Sequence, residues 1–145
     1  MIIRGCEFPE DLHYHADFNV WVKEESPGIV LIGATSFGVA LAVEFVAFLP
    51  KAVGTEIDAG RAAGLLELSK AMVSVRSPVK GTILAHNEAA VADPSLIGSA
   101  PYRAGWLIRL KVGEWNREDL VSGAAILPAF EEAMDLDNFT GKEIR

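Results

Sequence analysis

Residues 65–83 read Leu-Leu-Glu-Leu-Ser-Lys-Ala-Met-Val-Ser-Val-Arg-Ser-Pro-Val-Lys-Gly-Thr-Ile. Two short apolar runs, residues 65–68 and 72–75, flank a polar centre that contains Lys70. Strand-like runs separated by a few polar residues predict a β-hairpin, and this one would have Lys70 at its tip. A lysine amine on a flexible stem at such a tip is accessible to a modifying enzyme and to partners. We therefore interpret Lys70 as the attachment point of a covalent cofactor.

The composition is that of a globular chain with an acidic surface. The 145 residues are 50% hydrophobic and 23% charged, which is sufficient for one self-supporting domain over residues 1–145. Within it we expect a barrel over about residues 17–112 and a helical segment over about residues 116–136. The net charge of −7 would repel a phosphate backbone, so we expect no nucleic-acid partner.

The sequence has no pattern typical of a membrane span, a disulfide or a metal site. The longest apolar run, residues 39–50, is interrupted by Glu44 and is shorter than the roughly 20 residues that cross a bilayer. Cys6 is the only cysteine, and the first residues lack the apolar segment of a signal peptide. His13 and His15 have no further ligands nearby, so we expect a solvated or hydrogen-bonded pair. We expect a cytoplasmic protein that makes no contact with a membrane.

Alternation of apolar and polar residues predicts a mainly β structure. The predicted strands are residues 17–23, 29–33, 43–49, 55–57 and 105–112. In the third of these, Phe45 and Phe48 would lie on opposite faces, so the strand is either buried on both faces or exposes a docking patch. Residues 36–42 could form a short helix or an irregular turn, and residues 86–101 are rich in turn formers.

The pattern changes to a helical period after residue 113, which predicts one or two short helices. Asn116 is a suitable N-cap for a first short helix. In a second helix, over residues 126–136, the spacing places Leu127, Phe130 and Met134 on one face that would pack on the barrel.

The chain lacks the short motifs of known catalytic sites. It has no nucleophile elbow, no phosphate-binding glycine-rich loop and no zinc-ligand spacing. A cofactor carrier needs little local chemistry beyond an accessible amine, so we expect a carrier component of a multi-enzyme system rather than an enzyme.

Several short motifs in order resemble the H protein of the glycine cleavage system. They are Gly33-x-Thr35, Leu49-Pro50-x-x-x-Gly54, Glu67-Leu-Ser-Lys70, Ser77-Pro78-Val-Lys-Gly81, Asn87, Asp93-Pro94 and Pro101-Tyr102-x-x-Gly105-Trp106. The resemblance runs from about Tyr14 to Phe130. It implies a barrel-sandwich hybrid, the flattened barrel of lipoyl and biotinyl carriers, with short C-terminal helices.

The resemblance also implies a cofactor and its attachment chemistry. Lipoate would be joined by an amide to Lys70, and Glu67 would be an acidic residue recognised by the lipoylating enzyme, either a lipoate ligase or an octanoyl or lipoyl transferase. The lipoyl arm would then move between the active sites of partner enzymes.

Some residues depart from the family pattern near the expected arm. The family's first strand usually reads His-x-Trp, whereas this chain has Asn19-Val20-Trp21. The family's Leu-Gly-Asp is replaced by Leu41-Ala42-Val43. These substitutions would change the surroundings of the arm and the surface seen by partners.

The opening residues 1–12 resemble a sister group, the lipoate-binding proteins of heterodisulfide-reductase-like sulfur oxidation. This resemblance predicts that the arm carries sulfur intermediates and that a heterodisulfide-reductase-like complex is the partner. Two alternatives remain. The chain could be a glycine cleavage H protein that carries an aminomethyl group between glycine cleavage proteins, or an unmodified regulatory protein of the same fold.

Overall fold

The computed structural model describes residues 1–141. The strands are β1 (Ile2–Ile3), β2 (Cys6–Glu7), β3 (His13–His15), β4 (Val20–Ser26), β5 (Ile29–Ala34), β6 (Phe45–Pro50), β7 (Glu56–Ile57), β8 (Ala62–Leu68), β9 (Met72–Arg76), β10 (Gly81–His86) and β11 (Ile108–Lys111). The helices are α1 (Ser36–Ala42), α2 (Glu88–Ala92), α3 (Ser95–Ser99) and α4 (Ile126–Leu136), and a 3-10 turn at Gly123–Ala125 precedes α4.

Most of the strands form two antiparallel sheets. The larger sheet has six strands in the order β3-β4-β5-β11-β10-β7, and the smaller has three in the order β6-β8-β9. Strand β11 pairs with β5 on one side and β10 on the other, so it joins the first and second halves of the chain. β1 and β2 form a separate small hairpin.

The main hydrophobic core lies between the two sheets. Val22, Ile32 and Leu110 of the six-stranded sheet belong to the same buried cluster as Phe48 and Leu66 of the three-stranded sheet. Burial of these side chains on facing sheets stabilises a flattened sandwich. The mainly β class and the sandwich architecture expected from the sequence are therefore confirmed.

A second buried cluster lies on the other face of β3 and β4, where the N-terminal residues meet α4. Phe8, Tyr14 and Phe130 are fully buried there, and the ring centroids of Phe8 and Phe130 are 4.3 Å apart. Arg4 connects the same elements through a 2.8 Å ion pair with Asp135. This cluster extends the structure beyond the predicted barrel limits, because β3 already pairs with β4 and the sheet begins before residue 17.

The prediction for residues 43–49 was wrong in two respects. The strand begins at Phe45, because Val43 ends α1 with a positive φ of 66°. A bulge between Phe45 and Ala47 shifts the register, so Phe45 pairs with Leu68 and Phe48 with Leu66. Because these two partners are two residues apart, Phe45 and Phe48 lie on the same face of the sheet rather than on opposite faces.

Of the one or two C-terminal helices predicted, the structure has one α-helix, α4. Asn116 accepts a hydrogen bond from the Glu118 amide at 2.8 Å, which forms a local turn, and no helix follows it. In α4 the buried residues are Ile126, Phe130 and Met134, whereas Leu127 is 42% exposed. The sequence pattern had placed Leu127 on the buried face in place of Ile126.

Other elements differ from their predicted limits. Residues 36–42 form the helix α1, and the turn-rich residues 86–101 contain α2 and α3. The predicted strand 105–112 is shortened to Ile108–Lys111, because the residues before it form turns against α3.

Candidate cofactor-attachment site

The lysine hairpin is formed by β8 and β9. Leu66 pairs with Val73 and Glu67 with Met72, and the Leu68 amide closes the turn by donating to the carbonyl oxygen of Ala71 at 2.8 Å. The side chain of Lys70 is exposed in this turn. The predicted hairpin is thus confirmed, with Lys70 at its tip.

Glu67 lies beside the turn on the outer face of the small sheet. Its cross-strand neighbours are Ala47 on one side and Met72 on the other. Glu67, Ser69, Met72 and the bulge residue Val46 line a shallow depression. Within residues 1–141, Glu67 makes no ion pair with Lys70. The lysine and the carboxylate are therefore both free to meet an approaching protein.

A second pocket opens on the opposite side of the hairpin. Its volume is about 390 Å³. Leu68 and Val73 belong to its wall and stand two and three residues from Lys70. The remaining wall is mostly apolar, with a rim of polar and charged groups, and consists of Asp17, Phe18, Asn19, Val20, Ala34, Gly38, Leu41, Ala42, Phe45, Leu66, Ser74, Val75, Arg76 and Leu107.

Asn19 holds one edge of this pocket in place. Its backbone adopts a φ of 53°, which asparagine tolerates better than most residues. Its carbonyl accepts the Thr35 amide at 3.0 Å, and its side-chain Oδ1 accepts the Thr35 hydroxyl at 3.2 Å. Thr35 in turn caps α1, because its Oγ1 accepts the Gly38 amide at 3.0 Å. The loop before β4 and the start of α1 are therefore fixed by one pair of side chains.

Gly33 is required by the neighbouring tryptophan. A Cβ atom at Gly33 would lie 2.4 Å from the indole ring of Trp21, which is closer than van der Waals contact allows. The indole Nε1 of Trp21 donates to the Pro101 carbonyl at 3.0 Å. The Gly33-x-Thr35 motif thus has two roles, one in packing against Trp21 and one in capping α1.

The other motif residues stabilise the scaffold around the hairpin. The Ser77 hydroxyl donates to the Val79 carbonyl at 2.6 Å, which fixes the turn after β9. The Asn87 side chain donates to the carbonyl oxygens of Ala104 and Trp106 at 2.7 and 2.8 Å. Asn87 also caps α2 by accepting the Ala89 amide at 3.2 Å. None of these groups is directed at the pocket, so their roles are structural.

An aromatic and charged stack at the pocket rim was not anticipated from the sequence. The rings of His15 and Phe18 are stacked 3.7 Å apart with an interplanar angle of 12°. The guanidinium carbon of Arg76 lies 4.2 Å from the centroid of the same Phe18 ring. The Phe18 amide donates to His15 Nδ1 at 3.2 Å. Alternation in residues 72–76 could have placed Arg76 on a strand face, but no local signal indicates its contact with Phe18.

The hydrogen bond and burial both favour neutral His15. Burial lowers the pKa of His15, while Asp17 and Asp119 partly oppose this shift and Arg76 adds to it. Burial also lowers the pKa of His13, with a further lowering by Arg117. No group of three or more His, Cys, Asp or Glu side chains is placed to hold a metal ion within residues 1–141.

Tyr14 and Tyr102 anchor the N-terminal residues behind the site. The Tyr14 hydroxyl donates to the Pro9 carbonyl at 2.7 Å and the Tyr102 hydroxyl donates to the Glu7 carbonyl at 2.6 Å. Burial raises the pKa of both phenols, so both remain protonated donors at neutral pH.

In the described part of the chain, no helix is long and apolar enough to cross a membrane.

The chain is similar to glycine cleavage H proteins in sequence and in structure. The family model described as glycine cleavage H-protein matches residues 12–132. A probable glycine cleavage system H protein 2 of Saccharolobus solfataricus is 31% identical over 97% of both chains. The glycine cleavage system H protein 5 of Aquifex aeolicus is 37% identical over 75% of this chain and 76% of its own length.

A solved structure supports the same relationship. The crystal structure of a glycine cleavage system H protein from Mycobacterium marinum superposes with a TM-score of 0.69 and 28% sequence identity. The match covers 90% of this chain and 99% of that one, which agrees with the barrel-sandwich hybrid class. The chain therefore belongs to the glycine cleavage H-protein family, whose members are lipoyl carriers that hold the cofactor covalently on a lysine.

Proposed function

We propose that this chain is a lipoyl carrier and that the cofactor is attached to Nζ of Lys70. The observation that carries the proposal is the exposed Lys70 at the tip of an ordered hairpin in a member of this family. A tip position gives the amine access to a modifying enzyme, while the paired strands on either side keep its position fixed.

The surroundings of Lys70 fit a lipoyl group. An eight-carbon acyl chain with a terminal dithiolane is apolar along most of its length, and the adjacent pocket offers Leu66, Leu68 and Val73 as an apolar wall. When bound, lipoate supplies a cyclic disulfide that opens to a dithiol and exchanges with thiols. The task of the protein is to shelter the arm against these side chains and to present it to partners.

We propose that Glu67 contributes to recognition by the lipoylating enzyme. Its carboxylate stands on the outer sheet face, three residues before Lys70. A charged hydrogen bond is worth about 1.5–3 kcal/mol, so Glu67→Gln should slow modification roughly tenfold or more. The same charge change at exposed Glu44 should leave the rate unchanged.

Modification of the purified chain by a lipoate ligase, with lipoate and ATP, tests both residues. Mass spectrometry should find one lipoyl group on the wild type and on Lys80→Arg, and none on Lys70→Arg. Equal modification of the Lys70→Arg variant would reject the attachment site. Equal rates for Glu67→Gln and Glu44→Gln would reject the recognition role alone.

The pathway that the relatives' names favour is glycine cleavage. A relative that matches 97% of the chain and a solved structure that matches 90% of it are both named glycine cleavage system H proteins. In this pathway the arm would carry an aminomethyl group between glycine cleavage proteins. The lipoylated chain should then accept an aminomethyl group from glycine decarboxylase, as measured by release of labelled carbon dioxide from glycine.

A second candidate is a carrier of sulfur intermediates that docks on a heterodisulfide-reductase-like complex. The observation in its favour is Asn19, which stands at the pocket edge where the family pattern has histidine. Complex formation with such an assembly, together with failure to support glycine cleavage, would favour this candidate. If Lys70→Ala leaves biological function intact, an unmodified regulatory role would replace both.

A further inference from the structure

Two arginines each stack on an aromatic ring and also form an ion pair with a glutamate. The guanidinium carbon of Arg109 is 4.9 Å from a tryptophan ring centroid, and its Nε is 2.6 Å from the Glu25 carboxylate. The guanidinium carbon of Arg117 is 4.2 Å from another tryptophan ring centroid, and its Nη2 is 2.8 Å from the Glu24 carboxylate. The carboxylate of Glu25 accepts from Nε and Nη2 of Arg109, whereas that of Glu24 accepts from Nη2 of Arg117 alone.

Arg76 has the same arrangement without the carboxylate. Its guanidinium stacks on Phe18 at 4.2 Å, and its Nε donates to the carbonyl oxygen of Gly60 at 2.9 Å. Across residues 1–141 it forms no ion pair, and its two terminal nitrogens have no hydrogen-bond partner. An oriented guanidinium with two unused donors is suited to bind an anion.

These unused donors belong to the pocket beside the lysine hairpin. Arg76 lines that pocket together with the apolar side chains of Leu68 and Val73. The only other charged residue of the wall is Asp17, which also borders a second cavity that includes His15. The pocket thus combines an apolar wall next to the attachment turn with two charged side chains, the carboxylate of Asp17 and the guanidinium of Arg76, which Phe18 and the Gly60 carbonyl orient.

We propose that this pocket selects a ligand with an apolar body and an anionic end, and that Arg76 binds the anion through its two terminal nitrogens. The chemical class of the end group is a carboxylate or a sulfur oxyanion. The inference rests on the proposed function in one respect, namely that the natural ligand is a group carried on the Lys70 arm. An aminomethyl group is cationic at neutral pH, so an anion-selecting pocket favours the second candidate for the cargo.

Free amphiphiles test the pocket without the arm. The unmodified protein is titrated at pH 7.5 with octanoate, octanesulfonate, octanamide and octylamine, and binding is followed by amide chemical shifts of pocket residues. Octanoate or octanesulfonate should bind roughly tenfold more tightly than octanamide, because a charged bidentate contact is worth at least about 1.4 kcal/mol. The comparison of the two anions separates a carboxylate site from a sulfur oxyanion site.

Matched variants assign the effect to Arg76. Arg76→Gln should remove the preference for anions, and Arg76→Lys should retain only part of it, since lysine lacks the planar pair of donors. Arg109→Gln changes the net charge equally but lies outside the pocket, so it should bind octanoate as the wild type does. Anion affinity of the wild type should also fall as salt is raised.

The proposal is overturned if octanoate and octylamine bind equally, or if the Arg76→Gln and Arg109→Gln variants behave alike. Should Arg76→Gln fail to fold, the wild-type salt dependence and the octanoate to octanamide ratio still decide the matter. Because the protein is unmodified throughout, a failure here leaves lipoylation of Lys70 untouched. Absence of lipoate on Lys70, conversely, would not alter these affinities.

Discussion

The buried cluster at α4 and the rim of the pocket beside the lysine hairpin use aromatic side chains in opposite ways. At the α4 end, Phe8, Tyr14 and Phe130 are fully buried and contact one another edge to face or at a tilt. At the pocket rim, Phe18 is only partly buried, and its partners are the titratable His15 and the cation Arg76. Burial of rings against rings contributes stability, whereas a ring at a pocket rim leaves surface available to a ligand.

The backbone shows the same contrast. Beside the pocket, residues 42–44 form a γ-turn in which the Glu44 amide donates to the Ala42 carbonyl at 2.7 Å. Its central residue, Val43, has φ 66° and ψ −58°, a conformation that is strained for a β-branched side chain. Ala42, the first residue of this turn, and Leu41, which precedes it, line the pocket. Strain is thus located beside the proposed functional surface, where such strain is commonly found.

Truncation of a side chain in the buried cluster at α4 should have the largest effect on stability. Phe130→Ala removes a fully buried ring and should lower the free energy of unfolding by about 3–5 kcal/mol. Leu127→Ala, on the exposed side of the same helix, should cost less than about 1 kcal/mol. Urea denaturation followed by circular dichroism gives both values. Similar losses in the free energy of unfolding for the two variants would show that the buried cluster at α4 does not contribute the stability assigned to it.

Loss of the Thr35 hydrogen bonds that join the loop at residues 17–19 to α1 should have an intermediate effect on stability. Thr35→Ala removes the acceptor for the Gly38 amide and the donor to Asn19, so we expect a loss of about 1–2 kcal/mol. Thr35→Ser keeps both hydrogen bonds and should recover most of that loss. Urea midpoints of the two variants measure the difference. A serine variant as unstable as the alanine variant would assign the effect to packing of the methyl group.

Relief of the strained turn should increase stability. Val43→Gly removes the side chain from the positive φ position and should stabilise the protein by about 1 kcal/mol after the entropy cost of glycine. Val46→Gly, in the neighbouring strand, should instead be destabilising, because glycine weakens strands. The comparison of their melting temperatures checks the sign. A destabilised Val43→Gly variant would mean that the turn stores no strain.

The histidines near the loop at residues 17–19 should make stability depend weakly on pH. The folded pKa of His13 and of His15 lies below the unfolded value of 6.5, so the unfolded state binds more protons as the pH falls below about 6.5. Stability should therefore decline between pH 7.5 and pH 5.5, before most carboxylates titrate. His15→Gln should reduce this decline, because it removes one of the two histidines whose pKa is lowered by burial. Equal pH profiles for wild type and His15→Gln would contradict the account.

The hairpin could be predicted because its determinants are local. Two apolar runs around a polar turn specify the pairing of β8 with β9, and the tip position of Lys70 follows directly. The helix α4 could be predicted from its period, but its orientation could not. The sequence placed Leu127 on the buried face, whereas the structure buries Ile126. Both residues are apolar, and only the packing against the N-terminal hairpin distinguishes them.

The pocket could not be predicted because its determinants are distant in sequence. Phe18 lies in the turn before β4 and Arg76 ends β9, and no local pattern indicates that they stack. The bulge between Phe45 and Ala47 likewise depends on how β6 pairs with β8, so alternation along β6 alone gave the wrong face for Phe48. The single-domain prediction for residues 1–145 stays a prediction, which one cooperative unfolding transition would support.

Peptide mapping of the protein isolated from cells with an active lipoylation pathway tests the central claim most directly. We predict that intact mass shows one lipoyl group and that tandem mass spectrometry places it on Lys70, with Lys51 and Lys80 unmodified. A fully unmodified chain from such cells, or lipoate on another lysine, would contradict the assignment of the hairpin as the attachment site.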